Sequence, residues 1–291
     1  MNVWILCNED AGRGFSRQDL KKLVERAGHT VVSVANQYAE GASLPDEPID
    51  VVVAAGGDGT VATAAGIASR LGASLAILPL GTANNIATSL GVKAEVTDLI
   101  AAWPTTRRVP FDLGCARARS KEWRIVEGVG GGLVPAGIAR AKAEQTTREA
   151  MSPEAEVATA IRAFRDALVD LTPRPWTITL DGREIADEFL LVEVLNIRSI
   201  GPNLVFAPDA DPSDGCFDII LANERHRKEL LTYLEQRADG RDTRLALPRL
   251  RAREVVIATC TELHIDDERV DACELGEISI RIEPAITVLV R

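Results

Sequence analysis

The chain has 291 residues, enough for about two domains, and its 46% hydrophobic and 26% charged residues suffice for ordinary cores without disulfide or metal staples. Lys+Arg 33 against Asp+Glu 43 leaves a net charge of −10, with aromatics at 4%. That balance excludes a nucleic-acid binder that tracks phosphates over a broad basic surface. The five cysteines (7, 115, 216, 260 and 273) are scattered without C-x-x-C spacing, which predicts neither a disulfide framework nor a thiolate zinc site and suits a reducing, cytoplasmic compartment. His29, His226 and His264 lie far apart, so a histidine-rich metal site is not expected and any general base is sought among carboxylates. No apolar run approaches the roughly 18 residues of a membrane span. The first apolar run, 3–7, follows no basic segment and stops at Asn8-Glu9-Asp10, so it reads as a strand and not as a secretion signal.

Strand and helix signals alternate over the first hundred residues. Residues 3–7 and 30–35 read as strands around a helix at 16–27 with Ser16 as its N-cap. The continuous apolar runs 50–55 and 74–78 read as buried strands, with helical patterns at 61–71, 83–90 and 96–103. Short apolar strands separated by helices predict an α/β domain with a mainly parallel sheet covered on both faces. After about residue 107 the pattern becomes β-rich, with strands expected at 107–115, 123–129, 176–180, 184–196, 216–221, 254–258, 262–265 and 277–282. Asp181-Gly182 is a hairpin turn signal, and helical stretches are expected at 135–171 and 224–238. Within the first of these, Ile161, Phe164, Leu168 and Leu171 recur at helical spacing; they would pack on the sheets or line an apolar groove. The predicted boundaries are 1–108 for the α/β domain and 109–291 for a domain of mostly antiparallel sheet.

The sharpest local signal is Gly56-Gly57-Asp58-Gly59-Thr60, placed between a buried strand and a helical pattern. Loops at that place in an open α/β sheet bind ligands, the helix start suits an anion, and glycines let backbone approach phosphate closely. Asp58 beside a polyphosphate would be repelled unless Mg²⁺ lay between them; the alternative is that Asp58 caps the helix that follows. A second glycine-led loop, Gly81-Thr82-Ala83-Asn84-Asn85, follows the run 74–78, and its Thr82 and Asn84 could orient phosphate or ribose. A third, after the first strand, runs from Asn8 through Gly12 to Gly14, with Arg13 as either a phosphate ligand or ordinary surface charge.

These three loops in this order resemble the diacylglycerol kinase catalytic family, which includes bacterial diacylglycerol and related lipid kinases and the sphingosine and ceramide kinases. The resemblance continues through Val109-Pro110-Phe111-Asp112-Leu113-Gly114, Ala207-Pro208-Asp209-Ala210, Asp214-Gly215-Cys216-Phe217-Asp218 and Ile265-Asp266-Asp267-Glu268. It implies ATP bound in a cleft between an α/β domain and a β-sandwich domain, with the γ-phosphate passed to a lipid hydroxyl. It implies that Gly56, Gly57, Asp58, Gly59, Thr60, Thr82 and the Asn8–Gly12 loop hold ATP. It makes Asp266 the general base, Glu268 its acidic partner, and Asp58 and Asp112 members of a water-linked Mg²⁺ network. A structural Mg²⁺ would fall at Asp211, Asp214 and Cys216, with Asp211 and Cys216 acting mainly through backbone carbonyls. On its residues alone, Asp266 reads as a hairpin turn position. The chain differs from the family at Asn36, Asn85, Glu127, Ser213 and Asp267; Ser213 would leave the metal network one carboxylate short, and Asp267 replaces a glycine in a turn where φ > 0 would be tolerated by Asp.

Residues 225–253 carry nine basic against four acidic residues, net +5, leaving −15 for the rest. Such a segment could orient the protein peripherally on an anionic inner membrane surface, or be a solvated helix and loop. The leading expectation is an ATP- and Mg²⁺-dependent lipid kinase, cytoplasmic, that meets its lipid transiently at a membrane; a homodimer is compatible with it. Two alternatives stay open: a kinase of a soluble hydroxyl substrate, as in NAD kinases that share the GGDGT loop, and a non-catalytic nucleotide-binding regulator.

Overall fold

A computed structural model describes residues 1–8, 15–36, 45, 47–144 and 151–291. It divides into two compact units, Met1–Asp112 with Pro284–Arg291, and Leu113–Glu283. The last eight residues thus belong with the first unit, which the boundary drawn at 108 on sequence does not include.

The first unit contains β1 (Asn2–Cys7), α1 (Arg17–Arg26), β2 (Thr30–Asn36), β3 (Val51–Gly56), α2 (Asp58–Leu71), β4 (Ser74–Pro79), α3 (Asn85–Ser89), α4 (Val96–Ala102) and the start of β5 (Arg107–Ala118). Its strands are parallel in the order β2-β1-β3-β4. Every residue of β3 is buried, which is why that segment reads as an unbroken apolar run: both faces of a parallel sheet are covered. Ser16 caps α1 in a reciprocal pair with Asp19, satisfying two donors that the helix start would otherwise leave open. At the far edge, Val288 and Leu289 pair in parallel with Leu75 and Ala76 of β4.

The second unit holds the rest of β5, then β6 (Lys121–Ile125), β7 (Gly128–Gly132), α5 (Leu133–Glu144), α6 (Pro153–Asp170), β8 (Arg174–Leu180), β9 (Arg183–Phe189), β10 (Leu191–Leu195), β11 (Ser199–Ile200), β12 (Leu204–Val205), β13 (Phe217–Ala222), α7 (Arg227–Ala238), β14 (Arg249–Ala252), β15 (Glu254–Thr259), β16 (Glu262–Ile265), β17 (Glu268–Asp271), α8 (Ala272–Leu275) and most of β18 (Ile278–Val290). One antiparallel sheet runs β14-β13-β10-β7-β16-β17, and the other includes β18, β15, β8 and β9 with β5 and β6. Between them lies a core of Val192, Val194, Phe217, Ile219, Leu263 and Ile265 from the first sheet against Ile178, Val255, Ile257 and Ile280 from the second. Alternation along β10 sends Leu191 and Leu195 to the opposite face, where they meet Leu133, Ile161, Phe164, Leu168 and Leu230 of the helices. The helical stripe of α6 is therefore packed on the sheet. The glycine at 137 admits it: a Cβ there would lie 2.4 Å from the Phe164 ring.

Three expectations need correction. The stretch 135–171 is two helices, α5 and α6, because Ser152 caps a new start with Pro153 at its first position; residues 145–150 lie outside the described residues. The runs 123–129 and 184–196 each break into two strands, at residues 126–127 and at Leu190. Cys260 and Cys273, expected to be reduced, are disulfide-bonded with Cα atoms 4.4 Å apart. The β16–β17 register pairs Glu262 with Asp271 and Ile265 with Glu268, so continuing the same antiparallel ladder sets residues 260 and 273 opposite one another. No local spacing signals that.

Candidate functional site

In the first unit, the two glycine-led loops are locked together. The Leu80 N–H donates to the Gly56 carbonyl at 3.0 Å. A Cβ on Gly81 would lie 2.4 Å from the Gly57 Cα, and one on Gly56 would lie 2.2 Å from Thr60 Oγ1, so close approach dictates glycine at both places. Asn84 has φ 50°, and its side chain closes the turn on Gly81, accepting from its N–H at 3.0 Å and donating to its carbonyl at 2.6 Å. With Asn84 so occupied, it makes no side-chain cap for α3. Asp58 takes that role from the other loop: Oδ2 accepts from Asn85 N–H at 2.9 Å and Oδ1 from Ile86 N–H at 3.0 Å. Asp58 is thus a cap, but of α3 and not of its own helix. Thr60 is buried, Gly59 and Thr82 are exposed, and the Asn8 N–H continues the ladder to the Ala55 carbonyl at 3.1 Å. Gly12 and Arg13 lie outside the described residues. Asp112 is a buried residue of β5.

In the second unit, Asp266 occupies the two-residue turn between β16 and β17. Its own N–H donates to the Gly128 carbonyl at 2.8 Å. Its carboxylate accepts from Glu127 N–H at 2.8 Å and Gly128 N–H at 3.1 Å through Oδ1, and from Val126 N–H at 2.9 Å through Oδ2. Three successive backbone donors form a nest for the anion. Burial nevertheless outweighs them and pushes the Asp266 carboxyl up to about 6. Oδ2 takes a single strong bond, so it is the oxygen with acceptor capacity to spare. The positive φ expected at Asp267 falls instead at Asp266, φ 49°, a conformation that Asp tolerates. Glu268 is exposed at the start of β17.

The loop 211–216 is organised differently from a cation site. Asp211 Oδ1 accepts from the Ser213 N–H at 3.0 Å and hydroxyl at 2.6 Å. Asp214 Oδ1 accepts from Cys216 N–H at 3.0 Å, and its Oδ2 is paired with the Arg251 guanidinium. Next to it, Arg249 lies 3.2 Å from Asp218, whose carboxyl is pushed up by burial and drawn back by Arg249. An arginine already neutralises the one carboxylate that a hard divalent ion would need there, so Asp211, Asp214 and Cys216 do not fit a resident Mg²⁺. Cys216 is half-buried. The basic stretch 225–253 is likewise partly neutralised, through Arg227–Glu224 and Arg241–Asp239 as well as these two pairs; Arg225, Lys228 and Arg244 line a cavity of about 420 Å³. Among the described residues no helix is long and apolar enough to cross a membrane.

Sequence reasoning missed the 126–128 donor nest, Arg251, and the buried pair Glu193 and His264. The signal for that pair was present: a lone Glu within the otherwise apolar strand LVEVL, and an imidazole among the buried positions of ELHI.

The chain thus joins a parallel α/β unit with two interlocked glycine loops at its strand ends to an antiparallel sandwich carrying a nested aspartate. Residues 2–116 match the diacylglycerol kinase catalytic domain, and residues 132–290 match the YegS C-terminal NAD kinase beta sandwich-like domain. The chain belongs to this diacylglycerol and lipid kinase family, whose members are kinases acting on an alcohol acceptor. It is 27% identical over 246 residues to a diacylglycerol kinase of Mycobacterium tuberculosis, covering 82% of this chain and 76% of that one. It is 24% identical to a diacylglycerol kinase of Bacillus subtilis, covering 91% and 88%. In fold it matches the crystal structure of a diacylglycerol kinase from Bacillus anthracis with a TM-score of 0.71 at 20% identity, covering 100% and 97%.

Proposed function

We propose that this lipid kinase transfers the γ-phosphoryl group of ATP, delivered with Mg²⁺ as its counter-ion, to a hydroxyl of diacylglycerol or a related lipid. The observation that carries the reading is Asp266, a carboxylate fixed by three backbone N–H groups, raised to about 6 and therefore ionised at neutral pH while still basic enough to take a proton. In the transfer, the lipid hydroxyl forms the new O–P bond and the bond from the γ-phosphorus to the β-bridging oxygen breaks. The hydroxyl proton goes to Asp266, and ADP leaves with the electron pair of the broken bond. Phosphoryl transfer asks mainly for positioning and charge neutralisation. The interlocked loops 56–60 and 81–85, at the N-terminal end of the 14-residue α2, support the role of phosphate cradle. Asp58 shapes that cradle by capping α3. A peripheral encounter with an anionic bilayer would use Arg225, Lys228 and Arg244; reversing all three charges is expected to weaken sedimentation with anionic liposomes at low salt.

The deciding experiment is ³²P transfer from γ-labelled ATP to extracted lipids and, separately, to soluble polyols and NAD, by wild type and D266N. A labelled lipid lost in the variant supports the reading. Label only in a soluble acceptor, or ATP binding without any transfer, replaces it with the corresponding alternative.

A further inference from the structure

Glu193 and His264 are fully buried, and the transfer chemistry uses neither. They stand on the strands that flank β7, and both are in register with the same residue, Gly130. A Cβ at Gly130 would lie 2.4 Å from Glu193 Cδ and Oε1. Gly130 is thus the gap over which two side chains, two strands apart, meet. His264 Nε2 lies 2.9 Å from Glu193 Oε2, and His264 Nδ1 lies 3.1 Å from the backbone carbonyl of Asp266.

The proton count follows from the partners. A carbonyl only accepts, so Nδ1 must carry hydrogen; an ionised carboxylate only accepts, so Nε2 carries one too unless Glu193 itself is protonated. Either arrangement makes the pair neutral overall and keeps Nδ1–H directed at Asp266. Removing one proton would set two acceptors against each other at one end of the ring. Burial pushes the Glu193 carboxyl up. Burial lowers His264, but the Glu193 charge and hydrogen bond more than offset it, leaving the imidazole above its ordinary value. The surroundings add little charge. The buried residues of α5, which packs on β7 and β16, are Leu133, Val134, Pro135 and Gly137. Ile220 faces Glu193 from β13. Arg269 faces His264 from β17 but pairs with Glu262, and Asp266 is the remaining charge acting on the ring.

We infer that Glu193 and His264 are positioning residues for Asp266, the imidazole pinning the carbonyl of the turn while Gly128 pins its N–H, so that the carboxylate is held on its nest of donors. The inference rests on Asp266 as the base proposed above. It makes the pair a proton-dependent latch that is intact below the raised titration point of His264 and is released as pH rises through it.

The test compares wild type, D266N, E193Q and the apolar double variant H264L/E193L, which leaves no orphaned buried charge. Readouts are kcat and KM for ATP in transfer to diacylglycerol in mixed micelles, ¹⁵N spectra of the imidazoles, and amide exchange at 126–128. His264 Nδ1 is expected to carry hydrogen throughout the pH range in which transfer is fastest. The double variant is expected to lose about 10- to 100-fold in kcat, in line with outer-shell positioning partners, with KM for ATP within about twofold and with faster exchange at 126–128. E193Q, whose amide can donate to a neutral ring that has no proton to shed, should recover most of that kcat and lose the alkaline fall-off of the wild type. A folded double variant with wild-type kcat overturns the inference, as does an unprotonated Nδ1. Should the double variant not fold, an alkaline fall-off unchanged in E193Q overturns it alone. Wild-type transfer by D266N is a separate failure: it removes the base itself, and the inference with it.

Discussion

Asp58 and Asp266 both receive backbone N–H groups from a distant turn, 27 and 28 residues onward for Asp58 and 138 to 140 residues back for Asp266. Asp58 commits one oxygen to each of two donors that begin a helix, and the result is a clamp between loops. Asp266 gathers its donors mostly on one oxygen, in surroundings dry enough to raise its affinity for a proton. The same side chain and the same kind of bond thus serve architecture in one unit and, in the reaction proposed above, proton transfer in the other. The deciding variables are the acceptor capacity left over and access to water.

That contrast can be broken experimentally. The largest effect is expected for D266N: transfer should fall by about 10² to 10⁴, the usual range for loss of a general base, while ATP binding by equilibrium dialysis stays unchanged. Retained transfer would make Asp266 a second clamp. In wild type, kcat should fall about tenfold per pH unit below about 6, because the base must be ionised. Stability should move the other way. A carboxyl raised from 3.8 binds its proton more tightly in the folded state, so this group's contribution is greatest at low pH and declines as pH rises from about 4 to about 6. Urea titrations of wild type and D266N at several pH values measure that difference.

For the first unit, G81A is expected to cost about 1–3 kcal/mol, since the added methyl meets backbone and not a movable side chain, and to weaken ATP binding. D58A should cost about 1–2 kcal/mol through the two N–H groups it strands, with D58N intermediate. A D58A loss larger in turnover than in ATP affinity would show that Asp58 does more than hold the loops. The smallest effect concerns the loop 211–216: with Arg251 paired to Asp214, EDTA should leave the melting temperature unchanged, and a drop of several degrees would restore a metal there.

The parallel sheet was legible because buried strands announce themselves as apolar runs and the loops after them carry glycines. Asp266 was legible only by family resemblance, since nothing local distinguishes it from an ordinary turn residue; its significance comes from Val126, Glu127 and Gly128, which the chain brings near only through sheet pairing. The breaks at 126–127 and Leu190 were hidden because no proline or turn pair marks them; the change of sheet shows only as a shift from mostly exposed to buried positions. The disulfide was hidden because register, not spacing, unites Cys260 with Cys273.

The pairing of Val288 and Leu289 with β4 sets a schedule for biosynthesis. On the ribosome, β1 to β4 emerge more than two hundred residues before the segment that covers the β4 edge, and the entire sandwich is translated in between. For that interval the nascent nucleotide unit carries a bare apolar strand edge of the kind that invites pairing with another chain. Translation of the β18 segment, and not synthesis of the GGDGT region, is then the event that completes the sheet.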